Sequence, residues 1–155
     1  MTAKRSAGLL LYRKRAGTLE VFLVHPGGPF WARKDEGAWT IPKGEIGADE
    51  SPLAAARRET AEETGFAPEG EFIELPPIRQ KAGKHVHAWA VEAECDPREL
   101  RSNSFSMEWP PRSGKMADFP EVDRGAWFGM AEARAKLLEA QHPLLDSLEA
   151  SFKNV

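Results

Sequence analysis

Apolar positions in this chain occur first as short strand-like runs and later at helical spacing. Leu9 to Tyr12 and Glu20 to Val24 are largely apolar runs separated by the polar turn Arg13 to Gly17. Pro26-Gly27-Gly28-Pro29-Phe30-Trp31 then reads as a loop rich in turn residues and aromatics. Trp39 to Pro42 is a short extended segment in which Pro42 biases Ile41 away from helix, and Lys43-Gly44 turns the chain into a loop. A helix is predicted from Ser51-Pro52 to Gly65, because Ser caps a helix start, Pro is tolerated at its first position and Gly ends it. His85 to Glu94 alternates as a strand, with His85, His87 and Trp89 on one face and Val86, Ala88 and Ala90 on the other. Asn103 to Ala117, with its Pro pair and Ser-Gly, has no clean period and reads as a long loop. Ala131 to Ala140 predicts a helix, and a second runs from near Pro143 towards Phe152 with Leu144, Leu145, Leu148 and Phe152 as its apolar face. Mixed strands with helices on both sides suit an α/β/α sandwich, among other α+β layouts.

The helix from 51 to 65 carries the most informative polar pattern. Steps of roughly 100° per residue place Glu59, Glu62 and Glu63 within about a third of its circumference. Like charges so placed repel by a few tenths of a kcal/mol per pair. Clustered carboxylate oxygens are what a hard cation such as Mg²⁺ takes as ligands. The alternative is a solvated acidic face. Against it, Leu53, Ala54, Arg57, Thr60, Ala61 and Thr64 form only a weakly apolar stripe, a poor anchor for a purely structural amphipathic helix.

The stretch GEIGADESPLAAARRETAEETGF from Gly44 to Phe66 resembles the signature of the Nudix hydrolases: Gly, five residues, Glu, seven residues, Arg-Glu-apolar-any-Glu-Glu-any-Gly-apolar. Gly44, Glu50, Arg58-Glu59, Glu62-Glu63, Gly65 and Phe66 fill its fixed positions, and Thr60 stands where the family has an aliphatic residue. That departure implies a slightly weaker contact of helix with sheet. The resemblance extends over roughly residues 6 to 150. Ser6 to Tyr12 and Leu19 to His25 resemble the paired strands before the box, and Pro120 to Gly129, with Glu121 and Trp127, the strand before the closing helix. It implies a single domain over 1–155, a Nudix-type α/β/α sandwich with a mixed sheet, and Mg²⁺-dependent hydrolysis of a phosphoanhydride in a nucleoside diphosphate-linked substrate. The likeness is loosely to the branch that cleaves diadenosine polyphosphates.

Carried over position by position, the resemblance implies Glu59, Glu62 and Glu63 as ligands of Mg²⁺, with Mn²⁺ as a substitute and the Gly44 carbonyl as an additional ligand. Glu59 is instead a base in the alternative assignment, and Arg58 with Glu50 is an ion pair orienting loop and helix. The competing role for Arg58 is a surface pair with Glu62 one turn on. Lys43 is placed either to meet phosphate oxygens or as a solvated loop lysine. Glu121 and Glu108 are candidates for a further ligand or base. Among the aromatics, Trp39 and Trp127 read as packing residues, and Trp31 in its Gly/Pro loop is the candidate for stacking on a base. His85 and His87 are strand histidines, or else contact substrate or act in proton transfer.

Composition narrows the classes. The chain has 155 residues, 41% hydrophobic and 29% charged, as expected of one soluble globular domain. No apolar run approaches the ~20 residues of a membrane span, and the stretch after Met1-Thr2-Ala3-Lys4-Arg5 is too short for a signal peptide. A net charge of −3 gives no general attraction for extended nucleic acid or membrane, so a polyphosphate must be met by metal and local Lys or Arg. The single cysteine, Cys95, flanked by Glu94 and Asp96, reads as an unreactive strand residue in a reducing cytoplasm. A nucleotide-type small molecule is the expected substrate. The alternatives are a non-catalytic Nudix module, which would not need the intact glutamates, and isoprenoid diphosphate isomerisation, for which Cys95 lies in no suitable context.

Overall fold

A computed structural model describes residues 4–80 and 83–153; Met1 to Ala3 of the amino-terminal reading lie outside the described residues. Strands β1 (Arg5–Arg15) and β2 (Thr18–Pro26) form an antiparallel hairpin whose turn, Ala16-Gly17, takes positive φ at both residues. That handedness matches the right-handed strand twist. The pairing continues into residues read as turn: Arg13 opposes Glu20 and Arg15 opposes Thr18. Strand β3 (Lys43–Glu45) follows, then helix α1 (Pro52–Thr64), β4 (Ile73–Arg79) and β5 (His85–Glu92). Next come β6 (Ser104–Glu108), β7 (Met116–Pro120), β8 (Val122–Gly129), α2 (Met130–Lys136) and α3 (His142–Lys153).

The main sheet runs β4-β5-β1-β2-β8, with β3 also on β1; β1 and β5 are parallel and the other neighbours antiparallel. Its central strands are buried on both faces, which is why they read as apolar runs rather than alternations. Leu10, Tyr12, Val21 and Leu23 face one core with Leu144, Leu145 and Leu148 of α3. Leu9, Leu11, Phe22 and Val24 face the other with Ala55 and Ala56 of α1. The result is an α/β/α sandwich with a mixed sheet.

Several further sequence expectations need correction. Residues 103 to 117 are not a long loop but contain β6, which pairs with β7 as a separate hairpin. Its half-buried Phe105 and Met107 alternate with exposed Ser104, Ser106 and Glu108, a pattern too short to stand out beside Pro110 and Pro111. Lys43-Gly44 belongs to β3, with Gly8 opposite Lys43 and Ala7 opposite Gly44. The buried face of α1 is Ala55, Ala56, Thr60 and Thr64, whereas Ala54, Arg57 and Ala61 are exposed. Small residues let α1 lie close to the sheet, and hydropathy does not flag such a face. Finally, α2 ends at Lys136, a short 3-10 turn at Glu139–Gln141 leads into α3, and Cys95 lies just past β5.

Candidate functional site

Both ends of α1 are set by the residues that predicted them. Ser51 Oγ accepts from the Ala54 amide at 3.2 Å, and Gly65, at φ 79°, closes the helix with its N–H on the Ala61 carbonyl at 2.8 Å. Thr60 is fully buried, and its hydroxyl donates to the Ala56 carbonyl at 2.8 Å, so a polar residue serves at an aliphatic position with its donor satisfied.

Arg58 organises the acidic face. Its Nε and Nη2 donate to the two oxygens of Glu50 at 2.8 and 2.9 Å, and Nη2 also reaches the Glu45 carbonyl at 3.0 Å. Nη1 donates to Glu59 at 2.8 Å and Glu62 at 3.2 Å. The orienting pair with Glu50 and the one-turn pair with Glu62 therefore coexist. The Gly47 amide adds a bond to Glu50 at 2.9 Å. Arg58 and this amide hold the Glu50 carboxyl down at about 2.

The other carboxylates are pushed the opposite way. Burial, outweighing the bond from the Lys43 amide at 3.1 Å, drives the Glu63 carboxyl up to about 8, with help from the charges of Glu59 and Glu121. Burial likewise raises Glu59, despite Arg58, and Glu62 and Glu121 add to the rise. Glu121 is raised by burial and then by Glu62. The charge of Glu121 thus acts on Glu59 and Glu63. It stands between β7 and β8, where its amide donates to the Asn103 carbonyl at 2.8 Å and its carbonyl accepts from Gly27 at 2.9 Å. Asn103 in turn donates to the Glu62 carbonyl at 2.8 Å, joining the root of the β6–β7 hairpin to α1.

Glu108 is not brought to these carboxylates: it is exposed at the end of β6 and accepts from the Arg112 amide at 2.8 Å. Lys43 is half-buried with a lowered pKa, chiefly from burial, and the charges of Glu63 and Glu59 act on it. Trp39 and Trp127 pack as expected, Trp39 against Phe128 and Trp127 against Phe22. Trp31 is half-buried with the Lys34 amine 5.0 Å from its ring centre, while neighbouring Phe30 is 59% exposed and meets Trp109 edge-on. His85 and His87 are half-buried on the strand face they share with Trp89.

Two positioning residues escaped the sequence. Buried Gln141 accepts from the Ile41 amide at 3.0 Å and donates to Thr40 at 3.1 Å, fixing the segment that enters β3. Buried His25 lies between Asp123 at 2.9 Å and the Lys34 carbonyl at 2.5 Å, pinning the loop that carries Trp31. Neither sits in a local motif, since their partners lie far away in sequence.

Among the described residues, no three His, Cys, Asp or Glu side chains converge as a ready metal cage. Glu59 and Glu62 are turned onto Arg58, and Glu63 onto the Lys43 amide. The donor chemistry nonetheless fits a hard cation: the available groups are carboxylate oxygens whose mutual repulsion a divalent ion would relieve.

The NUDIX domain family model matches residues 2–148, and the chain belongs to that family. It is 56% identical over 41 residues to an RNA pyrophosphohydrolase of Thioalkalivibrio sulfidiphilus, covering 26% of this chain and 24% of that protein. It is 38% identical over 65 residues to the asymmetrical bis(5'-nucleosyl)-tetraphosphatase of Caenorhabditis elegans, covering 42% of this chain and 43% of that protein. The matched segments therefore span less than half of either relative. The crystal structure of a C. elegans Ap4A hydrolase binary complex superposes with a TM-score of 0.68 at 23% identity, over 97% of this chain and 99% of that one, a likeness of fold.

Proposed function

We propose that this protein hydrolyses a phosphoanhydride bond in a nucleotide-type substrate, with a divalent cation, Mg²⁺ or Mn²⁺, held by the carboxylates of α1. The observation that carries the reading is the packing of the α1 carboxylates against β3: Glu59 fills the space beside Gly44, Glu63 accepts from the Lys43 amide, and Arg58 holds Glu59 and Glu62 on the same side of the helix. Glu59, Glu62 and Glu63 would hold the cation, with the Gly44 carbonyl as a further oxygen donor and Glu121 as an added ligand or a base. When bound, the ion neutralises phosphate oxygens and lowers the pKa of water. Arg58 and Glu50 keep the acidic face aligned against the loop that follows β3, since Arg58 spans the Glu45 carbonyl, Glu50 and the helix. If Glu62 and Glu63 alone hold the cation, Glu59, raised by burial, would instead accept a proton from attacking water. Lys43 offers its ammonium to phosphate oxygens beside Glu63, and Trp31 offers a ring to a base.

The names of the relatives set the substrates to try first. One is a bis-nucleosyl tetraphosphate, as for the C. elegans tetraphosphatase; a second, which the RNA pyrophosphohydrolase match favours, is pyrophosphate carried by RNA. A panel of dinucleoside polyphosphates, nucleoside triphosphates, ADP-ribose and triphosphorylated RNA, with phosphate, pyrophosphate and mononucleotide products resolved, tests the reading. Release of mononucleotide or pyrophosphate from at least one member is expected. Unaltered nucleotides bound tightly by the metal-loaded protein would favour the non-catalytic module instead. Placement in the cytoplasm fits a nucleotide substrate, and among the described residues no helix is long and apolar enough to cross a membrane.

A further inference from the structure

We propose that Ser102 is a positioning residue for the hydrolytic site. Its hydroxyl, together with the Asn103 carbonyl, fixes the backbone of Glu121 against the end of α1 and so sets where the Glu121 carboxylate stands relative to those of the helix. This inference rests on the hydrolase reading and adds to it a residue that touches neither cation nor substrate.

The placement begins at the C-terminal end of α1, whose last carbonyls have no partners within the helix. Arg101 to Asn103 supply two of them: the Arg101 amide donates to the Thr64 carbonyl at 2.9 Å and the Asn103 amide to the Glu62 carbonyl at 2.8 Å. The segment lies tightly on the helix cap, because a Cβ at Gly65 would stand 3.2 Å from the Arg101 carbonyl oxygen. Asn103 then offers its own carbonyl to the Glu121 amide at 2.8 Å. A single residue therefore joins the backbone of Glu62 to that of Glu121.

Ser102 enters this relay through its side chain. Its Oγ accepts from the Val122 amide at 2.9 Å and donates to the Asn103 carbonyl at 2.8 Å, using both capacities of a hydroxyl. The two amides that bracket the Glu121 side chain, its own and that of Val122, are thus held by neighbouring groups of Ser102 and Asn103. Val122 is buried, so its amide depends on a protein acceptor. From the other side the Gly27 amide donates to the Glu121 carbonyl at 2.9 Å, and a Cβ at Gly27 would overlap the Pro120 carbonyl oxygen. Glu121 is half-buried, its charge acts on Glu59 and Glu63, and that of Glu62 acts on it. Releasing its backbone therefore moves a charge that the α1 carboxylates feel.

A double-mutant cycle tests this, read as kcat and KM at saturating Mg²⁺ on a nucleotide that wild type cleaves. Ser102→Ala should lower kcat by about ten- to a hundredfold, the cost of a reacting group misplaced by up to ~1 Å, with KM nearly unchanged. Ser102→Thr keeps the hydroxyl and should restore most of that rate. Glu121→Gln should cost at least as much as Ser102→Ala, and adding Ser102→Ala to it should cost little more, because residues that act through one another are not additive. Ser151→Ala, which loses a hydroxyl bond to the Ser147 carbonyl in α3, should keep the wild-type kcat. An equal loss from Ser102→Ala with and without Glu121→Gln would make Ser102 a structural residue of the hairpin root and overturn the proposal. So would normal kcat in Ser102→Ala or in Glu121→Gln, or failure of threonine to restore it. Amide hydrogen exchange in the unliganded protein gives a readout free of turnover. Exchange at Glu121 and Val122 should quicken by about tenfold or more in Ser102→Ala and stay near wild type in Ser102→Thr. Quickened exchange in a protein that cleaves no nucleotide would refute the hydrolase reading and leave the hold on Glu121 standing. Unchanged exchange and kcat in an active hydrolase would refute the role of Ser102 alone.

Discussion

The carboxylate of Glu59 occupies the space that a side chain at Gly44 would need: a Cβ built there falls within 2.5 Å of Glu59 Cδ and both carboxylate oxygens. Glycine at position 44 is thus required by close approach rather than by backbone freedom. Gly44→Ala should displace Glu59 or push β3 from α1 while leaving both cores intact. Misplacement by about 1 Å at a reacting centre costs up to ~100-fold in rate, so kcat should fall by one to two orders of magnitude. Far-UV circular dichroism should remain that of the wild type. A variant with normal kcat would show that the contact is not needed for turnover.

Glu50 and Arg58 couple the loop after β3 to α1. The Glu50 carboxyl is lower in the folded protein, at about 2, than the ordinary 4.5, so its ion pair contributes stability above about pH 4.5 and loses it as pH falls towards 2. Glu50→Gln should lower the melting temperature at pH 7, with the gap to wild type closing through that acidic window. It should also reduce kcat, because Arg58 is left to Glu59 and Glu62 alone. Melting curves at intervals between pH 7 and pH 2 check the convergence.

For Glu63 the sign reverses. Its carboxyl, raised to about 8, binds a proton more tightly folded than unfolded, so metal-free stability falls as pH rises from about 4.5 through 8. Glu63→Gln removes that dependence. In chelator the variant should match wild type near pH 4.5 and melt a few degrees higher above pH 8. Parallel melting curves across this range would contradict the assignment of burial as the dominant influence on Glu63.

The two aromatics of the loop after β2 differ in exposure. Phe30 is the more exposed ring and Trp31 the half-buried one. If Trp31 stacks on a base, Trp31→Ala forfeits about 1–3 kcal/mol of binding, read as a higher KM at nearly constant kcat. Phe30→Ala should leave the melting temperature unchanged. A lowered melting temperature with unchanged KM in Trp31→Ala would make it a packing residue and retire the stacking role.

The legible parts of this molecule were those whose determinants are adjacent in sequence. Ser51, Pro52 and Gly65 mark α1 because caps are local, and the glutamates share a face because helical spacing is local. The central strands showed as apolar runs because both their faces are buried. What escaped depends on long-range pairing. Ser102 meets Val122 only because the β6–β7 hairpin between them returns the chain, and Gln141 reaches back to Ile41 from beyond the last strand. The face of α1 was misread because alanine and threonine bury it by fitting closely rather than by being greasy. Glu121 and Glu108 were equal candidates in sequence. Only the hairpin between them, whose root bonds to α1 through Asn103, places one where its charge acts on α1 and leaves the other in solvent.

The central claim is that the α1 carboxylates act through a divalent cation. It is tested most directly by turnover of a bis-nucleosyl tetraphosphate as a function of Mg²⁺, on metal-stripped wild type and Glu63→Gln. Wild type should be inactive in chelator and recover fully on adding Mg²⁺. Glu63→Gln, which keeps the shape of the side chain but loses its charge, should remain slower by about two orders of magnitude or more at saturating Mg²⁺, as when a group stabilising transition-state charge is lost. Full activity of metal-stripped wild type in excess chelator, or near-normal turnover of Glu63→Gln, would contradict it.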